Sequence, residues 1–425
     1  MKFFYLAIAT SLFLYSCHSV NKKDIENEVS ECFTEYYSAI PLRESPYPNF
    51  QGVVRLSKKE AMTRNHYRFT YDKSFRLVSV SFWLGEKLRE PNHTANYFFT
   101  APMQKIQYTD NKEIITYQDR FGNQIAQRGA YKSIYLLDKN GRRVALHYED
   151  DKGNTVENSW GISNYEWNHQ NDGSVIESRY DLKGKLQSLR PQFDFFIIRL
   201  YYEQNGIVAL MQNVDENSTL IENSSGVAQD KLLFDKEGKW LGWKVLNAKN
   251  QLHRGNGPNV AKGINTSNKF GYESSIRYED IDGSRIINAH GFWGSKRFYD
   301  NKGNYTYTQF IDSLGNAGVN EKSGYCYAIY TWDESGYNLL KIELQDTNRQ
   351  AAIHKNGGYS SIVYEYNEFA QKTQISYLGK NGEPINRADN GVSYIKFDYN
   401  KNHTLKSSNC YNNTILNTKC RIEIF

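Results

Sequence analysis

The sequence predicts an all-β protein, an elongated antiparallel array of β-hairpins with a period of about 33 residues and a short N-terminal helix. Glycines mark the period, since Gly291, Gly324, Gly358 and Gly391 follow one another at intervals of 33, 34 and 33 residues. Aromatic residues are abundant, with 33 Tyr, 22 Phe and 7 Trp, and such residues favour pleated strands. Repeat units of this size stack on their neighbours, so we expect residues 65–425 to form one body.

Each repeat follows the plan seen between Gly291 and Gly324. A strand precedes the turn Asp-Asn-Lys-Gly at 300–303, a second strand follows it, and the turn Asp-Ser-Leu-Gly at 312–315 leads to the next copy. In such turns the Asp side chain accepts hydrogen bonds from backbone N–H groups, and the Gly tolerates positive φ. A single hairpin is marginal in water, so adjacent copies must hold one another.

The array is less regular between residues 247 and 269, which are polar and rich in glycine. We expect a loop or seam there. It is either the place where the array bends or meets a partner, or a disordered insertion.

The chain before the array divides into a signal peptide, residues 1–16, and a segment with lipid anchor, short helix and linker, residues 17–64. Apolar residues in 24–37 recur with helical spacing and predict an amphipathic helix that caps the first repeat. Three prolines make residues 38–52 a linker or an extended strap.

The leader consists of Lys2 and a mostly apolar run, Phe3 to Phe13, that is shorter than the roughly 20 residues needed to span a bilayer. It therefore predicts a secretory signal. The following Leu14, Ser16 and Cys17 resemble the lipobox of bacterial lipoproteins, although Tyr15, between them, is bulkier than usual.

That resemblance implies that Cys17 receives lipid and anchors the chain to a membrane. The residue after it is His18, and no Asp follows to argue for retention at the inner membrane. By resemblance to lipoprotein sorting we expect a protein of the bacterial cell envelope at the outer membrane, on either its periplasmic or its surface side.

Four further cysteines would lie in an oxidising compartment. Cys410 and Cys420 are close enough in sequence to form a disulfide that staples the last hairpin. For Cys32 and Cys326, free buried thiols are the alternative.

Three segments resemble the Y-D-x-x-G core of YD (Rhs-type) repeats, which are β-hairpin repeats of bacterial surface and secreted proteins: YDLKGKL at 180–186, YDNKGN at 299–304 and WDESG at 332–336. MORN-type repeats are a weaker likeness. The chain is far shorter than the large Rhs shells, and no toxin-like domain follows the repeats. The resemblance therefore implies a hairpin array without encapsulation of a toxin.

Motifs for catalysis and cofactors are absent from the sequence. It holds no H-E-x-x-H, no G-x-S-x-G, no phosphate-binding loop and no dinucleotide fingerprint, so we expect no metal site and no cofactor. The formal net charge is +5 with both signs interspersed, which predicts no nucleic-acid partner. Nothing selects a catalytic pair among the 47 acidic residues.

The aromatic surplus offers the remaining functional signal. Most rings must pack in the repeats, but exposed Tyr and Trp beside polar groups favour glycan or protein binding. The candidate binding aromatics are Trp160, Trp167, Trp240, Trp243 and Trp293, with core packing as the alternative. We therefore predict a lipid-anchored envelope protein that presents a β surface to a protein or glycan without catalysis. A polysaccharide hydrolase and a structural spacer are the alternatives.

Overall fold

The computed structural model describes residues 33–41, 43–92, 95–203, 206–413 and 415–416. Over these ranges the chain forms a single 26-stranded sheet and one four-residue helix. The elements are, in order, β1 Phe33–Ala39, β2 Val53–Leu56, α1 Lys58–Ala61, β3 Asn65–Tyr71, β4 Leu77–Leu84, β5 Lys87–Leu88, β6 Met103–Tyr108, β7 Lys112–Gln118, β8 Lys132–Leu137, β9 Arg143–Glu149, β10 Asn164–His169, β11 Val175–Tyr180, β12 Ile197–Tyr202, β13 Val208–Val214, β14 Gln229–Phe234, β15 Trp240–Leu246, β16 Lys262–Ser267, β17 Glu273–Glu279, β18 Gly294–Tyr299, β19 Tyr305–Ile311, β20 Tyr327–Trp332, β21 Leu339–Gln345, β22 Ser361–Tyr366, β23 Lys372–Leu378, β24 Tyr394–Tyr399, β25 Leu405–Asn412 and β26 Ile415–Leu416.

All strand pairings in the described part of the chain are antiparallel, and the predicted array of hairpins is confirmed. From β7 to β25, each strand pairs with the strand before it and the strand after it, and β6 pairs with β4 and β7. The sheet begins earlier than residue 65, because β1 lies between β2 and β3 and pairs with both.

The predicted helix over residues 24–37 is wrong over its last five residues, since Phe33 to Tyr37 belong to β1. Phe33 stacks on Tyr71 of β3, with ring centroids 4.5 Å apart, and Glu35 lies opposite Phe69. Pairing with two neighbouring strands satisfies the backbone on both sides, which outweighs the helical spacing of the apolar residues. Residues 24–32 lie outside the described residues.

Each Asp-x-x-Gly turn is closed by its own Asp, as predicted. In the turn between β8 and β9, Asp138 Oδ1 accepts hydrogen bonds from the backbone N–H groups of Asn140 and Arg142, both at 2.9 Å. Gly141 has φ of 75°, a conformation that residues with a Cβ rarely adopt. The same bonding recurs at Asp312, whose Oδ1 also accepts from the second and fourth residues after it.

The aromatic residue before the turn ties each hairpin of the later repeats to the preceding one. The Tyr299 hydroxyl donates to the Glu273 carbonyl at 2.7 Å, and the Tyr399 hydroxyl donates to the Lys372 carbonyl at 2.8 Å. Trp332 does the same with its indole N–H. This contact gives a physical reason for an aromatic residue with a hydrogen-bond donor before the Asp of the turn.

The sheet coils, so that late hairpin turns lie against early strands. Asn65 Nδ2 donates to Asn304 Oδ1 at 2.9 Å, and the ring of Phe121 stacks on His403 with centroids 4.1 Å apart. Arg89 reaches the Tyr337 carbonyl at 2.8 Å. We call residues 33–246 (β1 to β15) the first coil and residues 262–412 (β16 to β25) the second coil.

One face of the coiled sheet, the inner face, is apolar and the other is mixed. On β20 and β21 the inner face carries the opposed pairs Ala328–Leu344 and Tyr330–Ile342. On the outer face Lys341 and Glu343 form an ion pair at 2.9 Å between partly exposed side chains. Because period-2 alternation puts neighbours on opposite faces, each strand contributes to both.

The strand ladder runs unbroken through the predicted seam at 247–269. Residues 262–267 form β16, which pairs with β15 and with β17. The coil closes just after it, where Ser38 Oγ donates to the Phe270 carbonyl at 2.5 Å. Within the described part of the chain there is no helix of the length and hydrophobicity that a membrane span requires.

Candidate binding face

The segment between β1 and β2 runs across the inner face of the first coil, and we call its residues 43–50 the strap. Arg143, at the start of β9, donates from Nη1 to the strap carbonyls of Ser45 at 3.2 Å and Tyr47 at 2.7 Å, and to Asn49 Oδ1 at 3.1 Å. The predicted linker or strap at 38–52 is therefore a buried strap.

Charged pairs on the inner face hold the strap in place. Arg143 forms an ion pair with Glu113 of β7, and their side chains are 4% and 9% exposed. Within the strap, Glu44 accepts from Arg128 at 2.7 Å. Charges this deeply buried require partners, and here the partners join the strap to the sheet.

A second group of charges lies further along the first coil. Arg179 and Glu177 form a fully buried ion pair on β11, and Arg43 of the strap reaches Glu177 at 3.6 Å. The indole N–H of Trp167 donates to the same carboxylate at 2.8 Å. In this region the strap also contacts Tyr202 through Ser45 and Met211 through Arg43.

Under the strap the inner face is closed. The fourth residue of the first strand in each repeat lies at the centre of this face. Under the strap, the residues at this position and the equivalent residue of β3 are at most 3% exposed. They are Phe69, Ile106, Tyr135, Trp167 and Leu200. Between strap and sheet there remains a cavity of about 40 Å³, bordered by Arg43, Glu44 and Tyr148. A cavity of this size has room for water only, so it is not a site for a larger ligand.

From β18 to β24 the corresponding positions of the second coil are partly exposed, whereas Asn265 at this position of β16 is 3% exposed. Tyr330, Tyr364 and Phe397 occupy the central position of β20, β22 and β24, and Ile342 and Ile375 lie opposite the two tyrosines. At β18 the same position is occupied by Arg297, which pairs with Glu273. We call these residues, Arg297, Tyr330, Ile342, Tyr364, Ile375 and Phe397, the open face.

The open face combines apolar surface with a few polar groups. Burial raises the pKa of the Tyr330 and Tyr364 hydroxyls, so both remain protonated at neutral pH and can donate hydrogen bonds. Burial also raises the pKa of Glu273, and the charge of Arg297 opposes that rise. Such a surface suits a ligand with apolar side chains and hydrogen-bond acceptors.

The five tryptophans singled out in the sequence lie outside the open face. Trp167 is 3% exposed, and Trp160 is half-buried with the Arg128 guanidinium 3.9 Å from its ring centroid. Trp240 and Trp243 stack on each other with centroids 5.6 Å apart, and Trp293 is half-buried before β18.

The open face is not evident from the amino-acid sequence. Its central aromatic position was visible as the fourth residue of each strand, but the same residue type fills that position under the strap, as at Tyr135. Sequence alone does not show which copies are covered.

Two of the five cysteines, Cys326 and Cys410, are among the described residues. Cys410 is 3% exposed and disulfide-bonded, and Cys326 is a buried free thiol. Cys17, Cys32 and Cys420 lie outside the described residues, so lipidation of Cys17 and the pairing of Cys410 with Cys420 stay predictions. The described ranges contain no cluster of three or more His, Cys, Asp or Glu side chains arranged to hold a metal ion.

Comparisons with known proteins give distant likenesses only. No family model and no curated protein matches the chain. Among solved structures, the Photorhabdus luminescens Tc holotoxin pore is 11% identical over 84% of this chain and 19% of that one, with a TM-score of 0.28. The TcdB2-TccC3-TEV crystal structure is 11% identical over 85% and 20%, also with a TM-score of 0.28. A porin-like protein from Bacteroides uniformis is 11% identical over 73% and 86%, with a TM-score of 0.18.

This chain thus spans about a fifth of the length of the first two of those structures. We base no conclusion about family or function on these likenesses, because the scores and identities are low.

Proposed function

We propose that the protein is a non-catalytic binding protein whose open face holds an extended polypeptide segment of a partner protein. One contrast carries the proposal. The inner face of the first coil is filled by an extended polypeptide, the strap, whereas the same face of the second coil is partly exposed at Tyr330, Tyr364 and Phe397.

The strap indicates which contacts such a segment would make. Its carbonyl groups accept hydrogen bonds from Arg143, and its Tyr47 ring packs edge-on against Tyr202 at 4.7 Å. On the open face, Arg297 offers a guanidinium that is paired with Glu273, and the two tyrosines offer their rings. A partner segment with aromatic side chains and free backbone carbonyls fits this surface.

A polypeptide fits better than a glycan. On the open face Ile342 lies between the two tyrosines and Ile375 lies between Tyr364 and Phe397, and neither isoleucine offers a sugar a flat ring for stacking or a hydrogen bond. Apolar side chains of a peptide would gain free energy from covering them, at about 25 cal/mol per Å² of buried apolar surface.

Selection of peptides from a displayed random library on the full-length protein, followed by fluorescence anisotropy, tests the proposal. Tyr330→Ala removes a ring at the centre of the open face and should weaken a selected peptide by about 2 kcal/mol, roughly thirtyfold. Tyr307→Ala is the matched control, since Tyr307 is a half-buried tyrosine on the outer face of the adjacent strand, opposite Ile329. Circular dichroism melts establish that both variants fold.

Equal affinities for the two variants would contradict the use of the open face. Binding to a glycan array that requires Tyr330, without any peptide selected, would replace the polypeptide by a carbohydrate. Turnover of a polysaccharide that one Asp or Glu substitution abolishes would favour the hydrolase, and the absence of any ligand would favour a spacer.

We further propose that the binding face is held at the bacterial envelope by lipid on Cys17, at the outer membrane. The support is the resemblance of Leu14, Ser16 and Cys17 to a lipobox. Labelling of cells with a fatty-acid probe should mark the wild-type chain and leave Cys17→Ala unmarked. Labelling of both would contradict the anchor without affecting the binding face.

A further inference from the structure

The edge of the sheet where one repeat passes into the next carries backbone hydrogen bonds between neighbouring turns. The Ser159 N–H donates to the Arg128 carbonyl, and the Ala289 N–H donates to the Pro258 carbonyl, both at 2.8 Å. Each of these bonds holds the connecting turns of two adjacent repeats side by side.

This linkage changes at three consecutive turns in the middle of the array. Among the described residues of these turns, no backbone-to-backbone bond joins one turn to the next. Side chains make the connection instead, since Ser224 Oγ donates to Asp194 Oδ2 at 3.0 Å and Asn223 Nδ2 donates to Asn256 Oδ1 at 2.9 Å. The turns therefore stand apart, and a pocket lies between them.

The pocket has a volume of about 300 Å³, which is at the lower end of the roughly 300–1,000 Å³ that small-molecule sites occupy. Most such sites have apolar walls, whereas three amides, two hydroxyls and one carboxylate line this one. These groups belong to Gln192, Asn223, Asn256, Ser224, Ser225 and Asp194. We call this site the polar pocket.

We propose that the polar pocket binds a neutral sugar residue of a glycan. The site is separate from the open face, and the proposal does not rest on the proposed function.

The walls of the pocket hold donors and acceptors that the described residues do not fully satisfy. Asn256 Nδ2 is buried and has no hydrogen-bond partner among the described residues. Gln192 and Asp194 are exposed, and Asp194 accepts from Ser224 with one of its two carboxylate oxygens. A buried donor without a partner costs free energy, so a ligand that accepts a hydrogen bond from Asn256 gains affinity.

The charge of the walls favours a neutral ligand. None of the described residues that line the pocket is Lys, Arg or His, and the carboxylate of Asp194 would repel an anion. A calcium ion takes six to eight oxygen ligands, usually with several carboxylates, and Asp194 is the one acid among the described lining residues.

The hydroxyl groups of a sugar match the polar pocket in both chemistry and arrangement. Each hydroxyl both donates and accepts, as the amides and serines of the walls do. The hydroxyls project outward around the ring, so one ring can contact all three turns at once. The polar groups of an extended peptide lie along the two edges of a strand, which suits a long groove better than a pocket walled by three turns.

A glycan array of neutral and acidic oligosaccharides, probed with the full-length protein, tests the proposal. The neutral oligosaccharide that gives the highest signal is then titrated by calorimetry. Asp194→Ala should weaken its binding about tenfold or more, because a hydrogen bond to a charged group is lost. Gln192→Ala, which removes an exposed amide from another part of the wall, should weaken the same sugar.

Two controls separate this site from the rest of the surface. Glu216→Ala removes an exposed carboxylate from a neighbouring turn that does not line the pocket, and Tyr330→Ala alters the open face. Both should bind the sugar with unchanged affinity. Circular dichroism melts establish folding, and if Asp194→Ala melts early, Gln192→Ala decides the test.

Three results would overturn the proposal. The first is the absence of neutral glycan binding by the wild-type protein, or binding of acidic glycans alone. The second is an affinity that neither Asp194→Ala nor Gln192→Ala changes. The third is a loss of binding in Tyr330→Ala alone, which would place the sugar on the open face.

Discussion

Replacement of Arg143 by Met is a direct test of how the strap is held. The Arg143 side chain is 4% exposed and donates to Glu113, to two strap carbonyls and to Asn49, while its guanidinium lies 3.8 Å from the ring centroid of Tyr135. Methionine keeps much of the volume but removes every one of these hydrogen bonds. The variant thus separates the polar contacts from the packing.

The expected loss is large because the partners stay buried. Removal of one member of a buried ion pair costs about 3–5 kcal/mol, since the remaining charge, here that of Glu113, is left without compensation. The carbonyls of Ser45 and Tyr47 lose a donor in addition, at about 1 kcal/mol each. We expect the free energy of unfolding to fall by about 4 kcal/mol or more.

The neighbouring Arg142→Met is the control, since Arg142 is 51% exposed and pairs with Asp138 at the surface. It should leave the urea midpoint almost unchanged, because solvent screens exposed ion pairs. Hydrogen exchange measured on strap peptides, residues 43–50, should increase in Arg143→Met and not in Arg142→Met.

A second substitution refines the test. Adding Glu113→Leu to Arg143→Met removes the uncompensated carboxylate and should restore part of the stability. Equal urea midpoints and equal strap exchange in the two single variants would refute the role of Arg143.

Two further predictions concern buried titratable groups. Burial, aided by the charge of Arg68, lowers the pKa of His66 from its ordinary value of 6.5 to about 4. Neutral His66 therefore does not reduce the free energy of unfolding above pH 6.5. As the pH falls from 6.5 toward 4, the free energy of unfolding should decrease by about 3 kcal/mol in all. Urea midpoints across this pH range should show a decline that His66→Phe reduces, and an unchanged slope would contradict it. Burial raises the pKa of Asp230 from its ordinary value of 3.8 to about 7, and the charge of Arg190 opposes this rise. The contribution of protonated Asp230 to the free energy of unfolding is therefore complete below pH 3.8 and is lost as the pH rises toward 7. Asp230→Asn should stabilise the protein at pH 8 by roughly 4 kcal/mol and leave it unchanged at pH 4, and an equal effect at both pH values would be evidence against this.

The hairpins could be predicted because their signals are local. In turns such as those of Asp138 and Asp312 the Asp bonds to residues two and four positions later, and the Gly conformation is set within the same turn. The turns can therefore be identified directly from the sequence, and the positions of the strands follow from the spacing between the turns.

Strand β1 shows where such local reading fails. The apolar residues of 24–37 have helical spacing, but Phe33 to Tyr37 gain two strand partners, β2 and β3, that are 12 or more residues away. Tertiary pairing outweighed a pattern that covers little more than three helical turns. The same limit applies to Trp167, whose burial depends on a strap more than 100 residues earlier.

The open face depends on that same non-local feature. Tyr135 and Tyr330 are equivalent residues of two repeats, and only the position of the strap makes one of them 2% exposed and the other half-buried. A period read from the sequence treats all copies alike, whereas coiling of the sheet makes them unequal. The early copies enclose the strap, which is the chain that precedes them, and the later copies lie beyond its reach. Among the described residues, the hydrogen bonds of the strap reach no further along the array than Tyr202 and Met211, so any ligand of the later copies must be a different segment. The search for function in this protein therefore belongs on the inner face of the second coil.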